Sequence, residues 1–81
     1  MKNLNDIIVD KICELMGKKD ITQYRLAIIS GVPLATVKSI MQRRTNGITV
    51  KTLFMILNGL EISMKDFFDD EIFDQNNLII E

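Results

Sequence analysis

Chemistry in this chain falls to lysine, arginine, carboxylate, hydroxyl and amide side chains, because its 81 residues include one cysteine and no histidine. Neither a Ser/His/Asp nor a Cys/His nucleophilic centre can be assembled from that set, and a zinc site would have to rely on carboxylates. The densest carboxylate run, Asp69-Asp70-Glu71 with Asp74, does not match the spacing of an EF-hand loop and reads as a solvated segment. No enzyme, metal or cofactor is expected. Cys13 lies in an amphipathic stretch, where a free thiol usually serves as a small buried hydrophobe, so it is expected in the core.

Charge is the chemistry that remains, and its distribution says more than its total of -1. Met1 to Lys51 carries nine Lys/Arg against four Asp/Glu, whereas Thr52 to Glu81 carries one Lys against seven acids. A basic first half is compatible with a footprint for a polyanion, although solvated faces produce the same count. Within that half, a helix beginning at Pro33 would turn Val37 and Ile40 inward. Leu34, Ala35, Lys38 and Ser39, at i, i+1, i+4 and i+5, would then share the outward face. Arg43-Arg44-Thr45-Asn46-Gly47 follows as a basic, turn-rich connection, whose arginines also suit the negative end of a helix dipole.

The elements needed to hold that face are legible from period and caps. Apolar Leu4, Ile7, Ile8, Ile12, Leu15 and Met16 predict helix 1 from about Asn5 to Met16, capped by Asn3 or Asn5 and stopped by Gly17-Lys18-Lys19. Thr22 caps helix 2, Gln23 to Ile29, which buries Leu26 and Ala27. Ser30-Gly31-Val32 breaks it, with Gly31 free to take positive φ and Val32 plugging the crevice. Helix 3 runs from Pro33 to about Gln42. Thr49 caps a fourth helix with Val50, Leu53, Ile56, Leu57 and Leu60 inward, and Ser63-Met64-Lys65-Asp66 starts a short fifth that closes the core with Phe67 and Phe68.

No repeat or linker divides the chain, so one domain over 1–81 is expected, with its core at about 5–70 and an acidic, apolar tail at 71–81. The hydrophobic fraction of 47% supports a packed core. The longest uncharged stretch, Leu26 to Val37, is short and interrupted by Gly31 and Pro33, and the amino terminus lacks an apolar leader. A cytoplasmic protein without a membrane partner is expected. The surplus apolar residues Phe54, Met55, Ile72, Phe73, Leu78, Ile79 and Ile80 suggest contact with another subunit or folding back over the domain.

Two short helices joined by a glycine turn form a unit whose second helix can enter the major groove of DNA. The run from Thr22 to Val37 resembles the Cro and phage-repressor helix-turn-helix family, also called xenobiotic-response-element type regulators. It does so through Gln23, Leu26-Ala27, Gly31-Val32-Pro33 and Val37. The likeness extends through Thr49 to Leu53, Gly59 to Ser63 and Phe67-Phe68, covering about residues 5–70.

The resemblance implies an all-α, five-helix repressor-like fold, with helices 2 and 3 as the helix-turn-helix. It implies a sequence-specific double-stranded DNA-binding regulator, a repressor, acting as a homodimer on a pseudo-palindromic site, with no cofactor and no small-molecule ligand. Leu34, Ala35, Lys38 and Ser39 would read base edges, while Gln23, Arg44, Thr45 and Asn46 would hold phosphates.

Three positions depart from the family pattern. Leu34 stands where a glutamine is common, Arg43 where a glycine often supplies a left-handed turn, and Ile48 where a proline is frequent. The apolar Leu34/Ala35 pair and the tail leave open an alternative use of the fold as an antitoxin-like protein-interaction module.

Overall fold

The computed structural model describes residues 2–44, 47–74, 76 and 78–79, with Lys2, Leu78 and Ile79 described through their backbone alone. In chain order the elements are β1 (Lys2–Asn3), α1 (Leu4–Lys19), α2 (Gln23–Ser30), α3 (Leu34–Met41), α4 (Val50–Gly59), α5 (Met64–Phe68), a 3-10 turn (Glu71–Phe73) and β2 (Leu78–Ile79). The fold is thus all-helical apart from a two-residue parallel pairing of β1 with β2, in register Lys2 with Leu78 and Asn3 with Ile79.

Most helix starts have a chemical cause in the preceding side chain. The Asn3 side chain accepts a hydrogen bond from the Asn5 amide at 2.8 Å. Thr22, Thr49 and Ser63 accept from the amides of Arg25, Thr52 and Asp66 at 3.1, 3.1 and 3.0 Å. Each such cap satisfies an amide that lacks a helical partner and is worth about 1 kcal/mol.

Helix ends are set by left-handed residues: Asp20 (φ 55°), Gly31 (φ 75°), Arg43 (φ 57°) and Glu61 (φ 59°). After three of these, the next amide reaches back to a carbonyl in the last turn of the helix, Ile21 to Met16, Arg44 to Ser39 and Ile62 to Leu57.

The expected stop of α1 at Gly17 is therefore corrected to Asp20. Gly17 lies in the exposed last turn, where it tolerates helical geometry, and aspartate is among the residues that adopt the left-handed region most readily.

Ile8, Val9, Ile12 and Met16 of α1 join Leu26, Val32, Val37, Ile40, Leu53, Ile56, Leu57, Leu60 and Phe67 in one buried cluster. α2 packs on α3 and α4, while α1 packs on α3 and the 3-10 turn. Where α2 and α4 approach, Gly59 is required: a Cβ there would stand 2.9 Å from Ser30 Cα and 3.0 Å from the Ile29 carbonyl.

Three expected core residues lie elsewhere. Val50 is 72% exposed, because periodicity gives a direction around α4 but not how far along it the neighbouring helices extend. Cys13 is exposed at the rim of the α1–α3 contact, its Sγ 3.6 Å from Met41 Sδ. Val9, Ile12 and Met16 already fill the line of α1 that faces the core. Phe67 is fully buried, but Phe68, turned by one residue, remains 37% exposed.

The segment after α5 folds back on α1. Lys11 bridges to Asp70 at 3.0 Å, and its ammonium sits 5.3 and 5.5 Å from the ring centres of Phe67 and Phe73. Phe73 in turn contacts Phe67 and Phe68, with centroids 5.7 and 4.8 Å away. Among the described residues no helix is long and apolar enough to cross a membrane.

Candidate nucleic-acid interface

The turn between α2 and α3 is built by three consecutive residues with different jobs. Ser30 donates its hydroxyl to the Leu26 carbonyl at 2.6 Å and accepts from the Val32 amide at 3.2 Å, stapling the end of α2 to the turn. Gly31 supplies the positive φ, and its amide bonds the Ala27 carbonyl. Val32 then anchors the turn in the core at 3% exposure. Pro33 opens α3, where its fixed φ suits the bend and its absent amide hydrogen leaves no partner unmet.

α3 is held from one side, by Val37 and Ile40, which are the buried residues of the helix. The four candidate base-contacting residues are all away from the centre of that packing. Ala35 and Lys38 are exposed, whereas Leu34 and Ser39 flank them half-buried. Thr36 is exposed as well and was not among the expected contacts. It lies outside the i, i+1, i+4, i+5 set, and the signal that would have found it is the narrowness of a buried stripe carrying only two residues.

The candidate phosphate-contacting residues separate into two groups. Gln23 is exposed at the first position of α2, beside the amide ends of that helix, and Arg44 is exposed immediately beyond α3. Thr45 and Asn46 lie outside the described residues. Ile48, after that loop, is packed partly against the core.

Adjacent Arg43 and Arg44 have different fates. Arg43 adopts the left-handed turn expected where the pattern carries glycine, and its guanidinium turns back to α1, pairing with Asp6 at 3.1 Å and with Asp10. Arg44 forms no ion pair among the described residues, nor do the exposed Arg25, Lys38 and Lys51.

Several basic groups are thereby left available on α2, on α3, at the exit of α3 and on the first turn of α4. Such cations attract a polyanion. The ammonium of Lys38 and the hydroxyls of Thr36 and Ser39 are suited to base edges, and Leu34 and Ala35 to thymine methyl groups. On the other half of the chain, the hydrogen bond from the Ile72 amide and then Lys11 hold the Asp70 carboxyl below the usual carboxylate range. A depression of about 440 Å³ is lined by Phe54, Asn58, Glu61, Ile62, Ser63 and Met64, all from α4, α5 and their connection.

A family model described as a Cro/C1-type HTH DNA-binding domain matches residues 9–71. No curated protein and no solved structure matches the chain.

Proposed function

The chain belongs to the Cro/C1-type helix-turn-helix DNA-binding domain family and is a DNA-binding regulator, and from that premise we propose that it is a sequence-specific repressor that inserts α3 into the major groove. The observation that carries this reading is the one-sided burial of α3. Val37 and Ile40 fix the helix, while Ala35, Thr36 and Lys38 are presented to solvent. Readout on this face is less polar than an amide-bearing helix would give: Leu34 and Ala35 pack on thymine methyls, Lys38 donates to guanine, and Ser39 bonds either class of edge. Gln23 and Arg44 hold phosphates on either side. The regulator acts as a homodimer, each copy reading one half of a pseudo-palindromic site about one helical turn apart.

Two substitutions test the division of labour. Replacing Lys38 with Ala is expected to change preference at one base pair by about 1–3 kcal/mol, with other positions unaffected. Replacing Arg44 with Ala is expected to weaken binding to every duplex and to lower the salt slope by about one. Titrations over a salt series read both, and a Lys38→Ala protein with unchanged preferences removes that residue from the readout.

A second reading is favoured by the half-buried Leu34 beside exposed Ala35, an apolar pair on the presented face. A protein partner seated there would make the fold an interaction module with weak or no DNA binding. Purification with a stoichiometric protein partner and without nucleic acid supports that reading instead.

A further inference from the structure

We propose that Arg43 is a positioning residue for DNA recognition, tying the exit of α3 to α1 and so aiming Arg44; this rests on the DNA-binding reading above. Arg43 stands at φ 57°, in the left-handed region where glycine is unstrained and a side chain is not. Its side chain is not idle there. Asp6 and Asp10, four residues apart on α1, lie one above the other on the same helix face. The planar guanidinium reaches both carboxylates at once, Nη1 donating to Asp6 Oδ1 and Nη2 to Asp10 Oδ1.

The backbone of the same residue closes α3. The Arg43 amide bonds the Ile40 carbonyl, and the Arg44 amide bonds that of Ser39, both at 3.0 Å. One residue therefore terminates the recognition helix and anchors its end to a neighbouring helix. The groups are 37 to 43% exposed, so the tie adds little to global stability. Its effect is on direction: the turn that Arg43 fixes presents Arg44 to solvent. Asp6 and Asp10 are thereby assigned a role in recognition even though, as anions, they repel DNA.

That opposition of signs makes the proposal testable. A duplex enriched from a random pool and a scrambled control are titrated over a salt series with wild type, Arg43→Asn and the double variant Asp6→Asn/Asp10→Asn. Asparagine is chosen at position 43 because it tolerates positive φ. Both variants are expected to lose about tenfold of the preference for the enriched duplex while keeping the wild-type salt slope, since the tie makes no phosphate contact. Exchanging the partners, Arg43→Asp with Asp10→Arg, is expected to restore most of that preference. Hydrogen exchange of the Arg44 amide, with no DNA present, is expected to quicken in Arg43→Asn and in the double variant and to slow again in the exchanged protein.

A double variant that binds both duplexes more tightly with its preference intact would show that the carboxylates act only as charges and would overturn the proposal. A salt slope lower by one in Arg43→Asn, unrescued by the exchange, would make Arg43 a phosphate contact and overturn it as well. Wild-type protein that enriches no duplex overturns the DNA reading itself, and the proposal with it; wild-type preference that survives every variant overturns the proposal alone.

Discussion

Glu61 holds φ 59° just after α4, and, unlike Arg43, it makes no side-chain bond among the described residues that compensates for the strain. Replacing it with Gly is expected to raise unfolding stability by about 0.5–1 kcal/mol, the relief of the left-handed conformation exceeding the entropy that glycine adds to the unfolded chain. Urea titration checks this, and a Glu61→Gly protein no more stable than wild type contradicts the strain.

At this scale the sequence was informative about backbone and silent about partners. Arg43 stands where glycine is common, which marked a turn that favours the left-handed region but not that an arginine would adopt it. Its salt links to Asp6 and Asp10 could not be foreseen, since those residues lie 37 and 33 positions away and nothing local announces the pairing. The exposure of Cys13 and Val50 escaped for a related reason: an amphipathic pattern reports which way a side chain turns, not whether a neighbour is there to cover it.

Helix caps are local events, and this is why Thr22, Thr49 and Ser63 were legible as starts while the packing of the helices they begin was not. The approach of α4 to α2 is the sharpest case. Gly59 entered the sequence reading only as part of the family likeness from Gly59 to Ser63, yet a Cβ there would press within 2.9–3.0 Å of Ser30 and Ile29 backbone atoms that cannot rotate away. Gly59→Ala is expected to destabilise by about 1–2 kcal/mol despite alanine's better helix propensity, because α2 must shift with its turn. Thermal unfolding reads the loss, and unchanged stability would mean that the two helices part without difficulty.

The turn after α5 carries a pH dependence of its own. Asp70 has a folded-state pKa lowered from 3.8 by the Ile72 amide and Lys11, so its contribution is present above the ordinary carboxylate range. It is lost as pH falls through the depressed value. Exchange at the Ile72 amide is expected to rise in acid in wild type, relative to its intrinsic pH dependence, and to lose that excess rise in Asp70→Asn. The same excess in both would place the acid sensitivity elsewhere.

Across the whole molecule, the opposite charges of the two halves are used differently. In the basic half Lys11 pairs with Asp70, Lys18 with Glu14 and Arg43 with Asp6 and Asp10, while Arg25, Lys38, Arg44 and Lys51 stay exposed without ion pairs among the described residues. Four of the cations unpaired among the described residues thus lie on and beside the helix-turn-helix, with Lys19 exposed at the end of α1. Part of the acidic half is drawn back to α1 through Asp70 and the Phe67, Phe68 and Phe73 cluster. The order of helices and the buried side of α3, Val37 and Ile40, followed from sequence, because both depend on short-range spacing, whereas the exposure of Thr36 and the partial burial of Leu34 and Ser39 did not. The β1–β2 pairing did not, since two-residue strands at opposite ends of a chain leave no periodic trace.

Selection of duplexes from a random DNA pool, followed by titration of the winner and a scrambled control at about 50 and 200 mM salt, tests the central claim most directly. The expected result is a pseudo-palindromic winner preferred by about a thousandfold or more, with affinity that falls steeply as salt rises. No enrichment, with no salt-sensitive binding to any duplex, would contradict sequence-specific recognition through α3.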